Sequence, residues 1–106
     1  MQKGPDQQEV FSPLGKFIGG FFPNCLMAYP GLPMAAKIVW VRLAQYAGKR
    51  TYAFPRQRTL AREVNLSIAR VQVLLRILEK QQFIIRQGRD GHPSRYYFLL
   101  HCLFKT

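Results

Sequence analysis

The sequence predicts a mainly helical α+β domain. Three observations carry that expectation: an apolar period of about 3.6 residues over 59–83, a sharp break within it at Asn65-Leu66, and two β-rich runs after it. In the first helical piece Leu60, Ala61 and Val64 share a face, and Ala61 is small where a second helix must cross close by. After the break, Ser67 offers a hydroxyl to cap the next helix. From there, at about 100° per residue, Val71, Leu74, Leu75 and Leu78 gather on one side. Ala69, Arg70, Gln72, Val73, Arg76 and Lys80 gather on the other. Two helices across so tight a break form a helix-turn-helix, with its second helix over about 67–81.

The elements before it are signalled with varying strength. Residues 1–9 are polar, with Gly4 and Pro5, and read as a frayed end. Phe11, Leu14, Phe17, Ile18, Phe21 and Phe22 are too apolar to leave in water, yet Pro13, Gly15, Gly19 and Gly20 forbid a long helix. Residues 1–20 therefore read as an arm that must pack on something, and 21–104 as the domain proper. Residues 23–32 read as an extended lead-in, with Phe22 and Leu26 anchoring the arm. Pro33 suits the first position of a helix because it lacks only an amide hydrogen that would go unsatisfied there. That helix should end at Ala47, with Gly48 as its stop. Ala36, Val39, Trp40, Leu43 and Ala47 fall on its core side. Met34, Ile38 and Val41 lie opposite, beside Lys37, Arg42 and Gln45. An outer face that is partly apolar needs a cover, either the chain's own arm or the same surface of a second copy in a homodimer.

Residues 51–53 suit a short strand, and Phe54-Pro55 closes it before the first helix of the motif. Arg56 and Arg58 stand where that helix begins, placed to hold a phosphate. For Arg58 an ion pair with nearby Glu63 is the competing reading. Beyond the second helix, runs 83–87 and 95–100 are joined by GRDGHP at 88–93, in which Asp90-Gly91 is a strong hairpin signal. Ile84, Tyr97 and Leu99 are candidates for the hairpin's inward face. Arg86, Arg89 and Arg95 gather near its strands and tip, and Arg89 is the sharpest candidate because a tip residue has little core role. Asp90 serves the turn, and His92 beside proline reads as a loop residue.

The run TLAREVNLS with Val71, Leu75, Leu78, Glu79 and Ile84 resembles the winged helix-turn-helix family. It is similar in particular to the DNA-binding domains of bacterial plasmid and phage replication-initiation proteins. FFPNCLMAYPGLPMAAKIVWVRLAQYAG is similar to the lead-in and first helix of those domains, so the resemblance extends over about 21–100. Arg56 stands where the family has a small capping residue, and Gln82 where it has glycine. The resemblance implies a three-helix core with a C-terminal hairpin wing over 84–100. It also implies a role in replication initiation or its control, a transcriptional regulator or a protein-interaction module of a replication or partition complex being the alternatives. The implied location is a bacterial cytoplasm, on nucleoid or plasmid.

The residues themselves point to double-stranded DNA. A helix about 10–12 Å across fits the major groove, where Arg, Gln and small apolar groups read guanine, adenine and the thymine methyl. Arg70, Gln72, Val73 and Arg76 are the candidates for base contact. Arg56, Arg58, Ser67, Lys80, Arg86, Arg89 and Arg95 are the candidates for phosphate. Sixteen Lys and Arg against five Asp and Glu give a net charge of +11, in a chain 48% hydrophobic. That balance suits a folded protein with a polyanionic partner better than a disordered tail. RNA is disfavoured because the wing shows no evident aromatic platform for unstacked bases.

Other chemistries find little support. Phosphate-loop, dinucleotide, zinc-protease and serine-hydrolase motifs are missing, and the five acids are too scattered to hold Mg²⁺ for a nuclease. Tyr96 and Tyr97 lack the nearby histidines that a tyrosine nickase needs. No enzyme, cofactor or metal site is therefore expected. Cys25 and Cys102 are far apart and read as reduced, buried small hydrophobes. No apolar run reaches the length of a membrane span.

Overall fold

The computed structural model describes residues 2–3, 9–10, 12–14 and 18–104. At the N-terminus, strands β1 (Gln2–Lys3) and β2 (Glu9–Val10) pair antiparallel, with Gln2 opposite Val10. Strands of two residues have no room for alternation, so the sequence reads there as a frayed end. The arm's described apolar residues find no cover among the described residues of the chain. Leu14, Ile18 and Phe21 are exposed, Ile18 at 98%. Phe11 and Phe17 lie outside the described residues. The arm meets the domain at Gly20, where an added methyl would stand 2.7 Å from Val41 Cγ1, and at Phe22, half-buried against the core.

The lead-in contains a short helix, α1 (Asn24–Ala28), where an extended segment was expected. Leu26 takes its inward position and is fully buried, which turns Cys25 outward. The expectation of a buried Cys25 is thereby corrected. Helix α2 (Met34–Ala47) follows Pro33, whose φ of −59° is already helical, and ends at Gly48, whose φ of +59° a side chain would disfavour. Ala36, Val39, Leu43 and Ala47 are buried, and Met34 and Ile38 exposed, as the periodicity requires. Lys37 is the exception. Expected on the outer face, it is 4% exposed, and its Nζ donates to the Met27 carbonyl at 2.9 Å. Its stem packs between α1 and α2 while its cation meets a carbonyl in the last turn of α1, where positive charge is favoured.

Strand β3 (Tyr52–Ala53) leads to α3 (Gln57–Glu63), and α4 (Ile68–Lys80) carries the densest apolar stripe, Val71, Leu74, Leu75 and Leu78 all buried against α2 and α3. The hairpin is β4 (Ile84–Arg89) and β5 (His92–Phe98), joined by Asp90-Gly91 alone, so both strands run further toward the tip than the sequence suggested. Gly91 has φ +70° in that turn. One residue of β4, Gly88, faces two of β5, Pro93 and Ser94, in a bulge that suits a proline with no hydrogen to give the ladder.

The sheet is antiparallel with order β3-β5-β4. Its register pairs Ile84 with Phe98, Arg86 with Tyr96, and Ala53 with Tyr96. Ile84 and Tyr96 are buried on the helix side, and Tyr97, expected inward, lies on the outer face opposite Tyr52. Five adjacent apolar or aromatic positions from Tyr96 leave the phase of a period-two pattern open, and pairing with Ile84 and Ala53 decides it. A 3₁₀ turn, Cys102–Phe104, folds back so that His101 stacks on Phe83 at 4.0 Å and Phe104 sits 5.7 Å from Trp40.

Candidate nucleic-acid interface

The break between α3 and α4 is built by a left-handed residue. Asn65 has φ +58°, a conformation asparagine tolerates, and the Leu66 amide then donates back to the Ala61 carbonyl at 2.9 Å. Ser67 Oγ accepts from the Arg70 amide at 3.0 Å and starts α4 with the expected cap. Because the leucine stripe faces the core, the opposite side of α4 is turned to solvent. Arg70, Arg76 and Lys80 are exposed and Val73 is 39% exposed. No side-chain hydrogen bond or ion pair holds these three cations among the described residues.

Gln72 sits at the edge of this row, half-buried. Its amide nitrogen donates to Gln57 Oε1 at 3.1 Å, and Gln57 in turn donates to the Tyr96 hydroxyl at 3.1 Å. This relay ties α4 to the first helix of the motif and to the sheet. It leaves the Gln72 carbonyl and a second amide hydrogen for a base. It also occupies the hydroxyl of buried Tyr96.

Arg56 is the N-cap residue of α3, and among the described residues its guanidinium has no hydrogen-bond or ion-pair partner. Arg56, Gln57, Arg86, His92 and Ser94 line an open cleft of about 380 Å³ between the start of α3 and the helix side of the hairpin. Arg86 Nε donates there to Ser94 Oγ at 3.2 Å. Arg58 is exposed and without an ion-pair partner among the described residues, because Glu63 is engaged elsewhere. Arg42 Nη2 reaches the Glu63 carboxylate at 2.8 Å, and the Tyr46 hydroxyl donates to it as well. The Arg42 hydrogen bond, then that of Tyr46, holds the Glu63 carboxyl below its ordinary range. Cations thus run from α4 past the N-terminus of α3 into the cleft.

The three hairpin arginines do not stay together. Alternation along β4 and β5 puts Arg86 on the helix side and Arg89 and Arg95 on the outer face. Arg89 is half-buried and donates to the Pro93 carbonyl at 2.9 and 3.1 Å. Arg89 has little part in the core, as expected of a tip residue, but these bonds give it a part in closing its own hairpin. Arg95 lies over the Tyr52 ring at 4.7 Å, and the Tyr97 hydroxyl accepts from it at 3.5 Å, which raises its pKa further. Tyr52, Phe54 and Tyr97, with Arg50 above the first two, make an aromatic cluster on this face. The wing itself contributes only half-buried Tyr97 to this cluster, and β3 with the residue after it supplies Tyr52 and Phe54. The sequence signal for it was the run of aromatic residues at Tyr52 and Phe54, which flank Ala53 at the end of the short strand.

A helix-turn-helix with its second helix outward, backed by a three-stranded sheet whose hairpin projects beside it, defines a winged helix-turn-helix. The model of a helix-turn-helix domain family matches residues 31–84, over half of the chain, from just before α2 to the first residue of β4. The chain belongs to that family and carries a helix-turn-helix DNA-binding domain. Comparison with curated proteins and with solved structures gives no match.

Proposed function

We propose that residues 21–104 bind double-stranded DNA with sequence preference, α4 lying in the major groove and the hairpin against the adjacent backbone. Arg70, Gln72, Val73 and Arg76 face base edges. Arg56, Arg58, Ser67, Lys80 and Arg86 hold phosphates on the helix side, with Arg89 and Arg95 on the hairpin's outer flank. The observation that carries this reading is the row of solvent-facing Arg70, Arg76 and Lys80, without partners among the described residues, on the side of α4 away from its leucines. Binding to a duplex selected from random sequence, titrated across salt, tests it. About six phosphate contacts give a log-log slope near −5, and a salt-insensitive affinity would contradict it. The process we favour is replication initiation or its control on a bacterial plasmid or phage, in the cytoplasm, without catalysis; transcriptional regulation is the alternative.

A second reading concerns partners. Leu14, Ile18 and Phe21 on the arm and Met34 and Ile38 on α2 are exposed together with no cover from the described residues. They support a homodimer through the arm and the outer face of α2, with Val41, partly covered by Gly20, at its margin. Light scattering at micromolar concentration tests it: a dimer is expected, and monomer alone would remove the idea. A palindromic footprint would agree with the dimer.

A further inference from the structure

We propose that the outer face of the sheet is a second binding surface, distinct from the α4 row, that takes single-stranded DNA. An unpaired base stacks beside Phe54 and Tyr52 while Arg50, Arg89 and Arg95 meet the flanking phosphates.

The face combines flat rings with fixed cations and, among the described residues, lacks opposing charge. Tyr52 lies 5.4 Å from Tyr97 and 6.1 Å from Phe54 between ring centroids. Arg50 stands 5.5 Å from the Tyr52 ring and 5.2 Å from that of Phe54, Arg89 5.8 Å from Phe54, and Arg95 4.7 Å from Tyr52. Phe54 is 41% exposed and Ile85, on the same face, 53%. The Nε of Arg95 is buried without a hydrogen-bond partner among the described residues. Of the described carboxylates, Glu63 and Glu79 belong to the helices, Glu9 to β2, and only Asp90, in the turn, belongs to the hairpin.

Three guanidinium groups drawn over the rings of Tyr52 and Phe54, with no described acid among them, complement a ligand that is itself flat and anionic. A paired base hides its π face inside the duplex, whereas an unpaired one offers it. Every base has such a face, so the surface needs no sequence. Because Arg86 faces the helix side and Arg89 and Arg95 the outer side, one hairpin presents cations on both of its faces. The outer one shares no base-contacting residue with α4, and of the proposed duplex phosphate contacts only Arg89 and Arg95.

The test measures affinity for a labelled oligothymidylate of about twelve nucleotides, which cannot self-pair, beside affinity for the selected duplex. Phe54→Leu, which keeps apolar bulk and removes the ring, is expected to weaken oligothymidylate binding about fivefold or more while the duplex affinity holds. Phe54→Trp is expected to retain it. Arg50→Gln, on an exposed side chain, is expected to weaken oligothymidylate and flatten its salt slope by about 0.7. Melting curves establish that each variant is folded. Oligothymidylate binding that ignores Phe54→Leu, or a matching loss on the duplex, would overturn the proposal, as would tighter binding of oligouridylate or equal competition by polyglutamate. Oligothymidylate binding in the absence of any duplex affinity would refute the α4 reading and leave this one standing.

Discussion

The outward side of α4 and the outward side of the sheet both carry arginine, in opposite mechanical states. Arg70 and Arg76 are exposed with no partner among the described residues, whereas Arg50, Arg89 and Arg95 each lie against an aromatic ring. Ordering a long charged side chain costs up to about 2 kcal/mol of rotamer freedom. On α4 that cost falls at binding, and in return the side chain adapts to different base edges. On the sheet it is met largely at folding, which suits a ligand recognised by shape and charge. Gln72 stands between these extremes, oriented through Gln57 yet keeping acceptor and donor capacity.

The largest expected effect comes from removing what both surfaces share. Leu74→Ala deletes a fully buried side chain under α4 and should cost about 2–5 kcal/mol of stability by denaturant unfolding, lowering binding to duplex and single strand together. Arg76→Ala should separate them: selectivity between chosen and random duplexes should fall by about 1–3 kcal/mol, with oligothymidylate untouched. Equal losses on chosen and random duplexes would move Arg76 from base to phosphate. Ser67→Ala should cost about 1 kcal/mol of stability through the lost cap of α4. At Gln82, φ is +64° where a glycine would be unstrained, so Gln82→Gly should raise stability by up to about 1 kcal/mol and alter neither affinity.

The smallest effect is one of pH. Glu63 titrates below its ordinary value of 4.5 because Arg42 and Tyr46 bond its carboxylate. A folded value lower than the unfolded one adds stability above that ordinary value and loses it as pH falls through the depressed one. Glu63→Gln should therefore lower the melting temperature slightly at neutral pH and flatten its decline in acid, and an unchanged acid limb would show that the Arg42–Glu63 pair does not couple α2 to α3.

The same contrast explains which parts were legible in the sequence. Val71, Leu74, Leu75 and Leu78 follow a period that only a helix satisfies, and Ser67 and Asp90-Gly91 are local signals that depend on no distant partner. Those features announce α4, its outer row and the hairpin turn. The sheet face depends on register. Whether Tyr96 or Tyr97 points inward is settled by pairing with Ala53, more than forty positions away, and a bulge at Pro93-Ser94 shifts the tip. Lys37 looks like an outer-face cation until α1 supplies the Met27 carbonyl. Arg89 and Arg95 look like free wing cations until β3 brings the rings of Tyr52 and Phe54 beside them. Composition misleads at Cys25, because it records how apolar a residue is and not whether a neighbour is there to cover it.

The central claim is that the side of α4 opposite its leucines enters a groove of DNA. Amide and arginine side-chain resonances of a nitrogen-labelled sample, followed during titration with the selected duplex, test it most directly. The expected result is that Arg70, Gln72, Val73 and Arg76 shift most, with Arg56 and Arg86 close behind. Shifts confined to the sheet's outer face or to α2, with α4 silent, would contradict it.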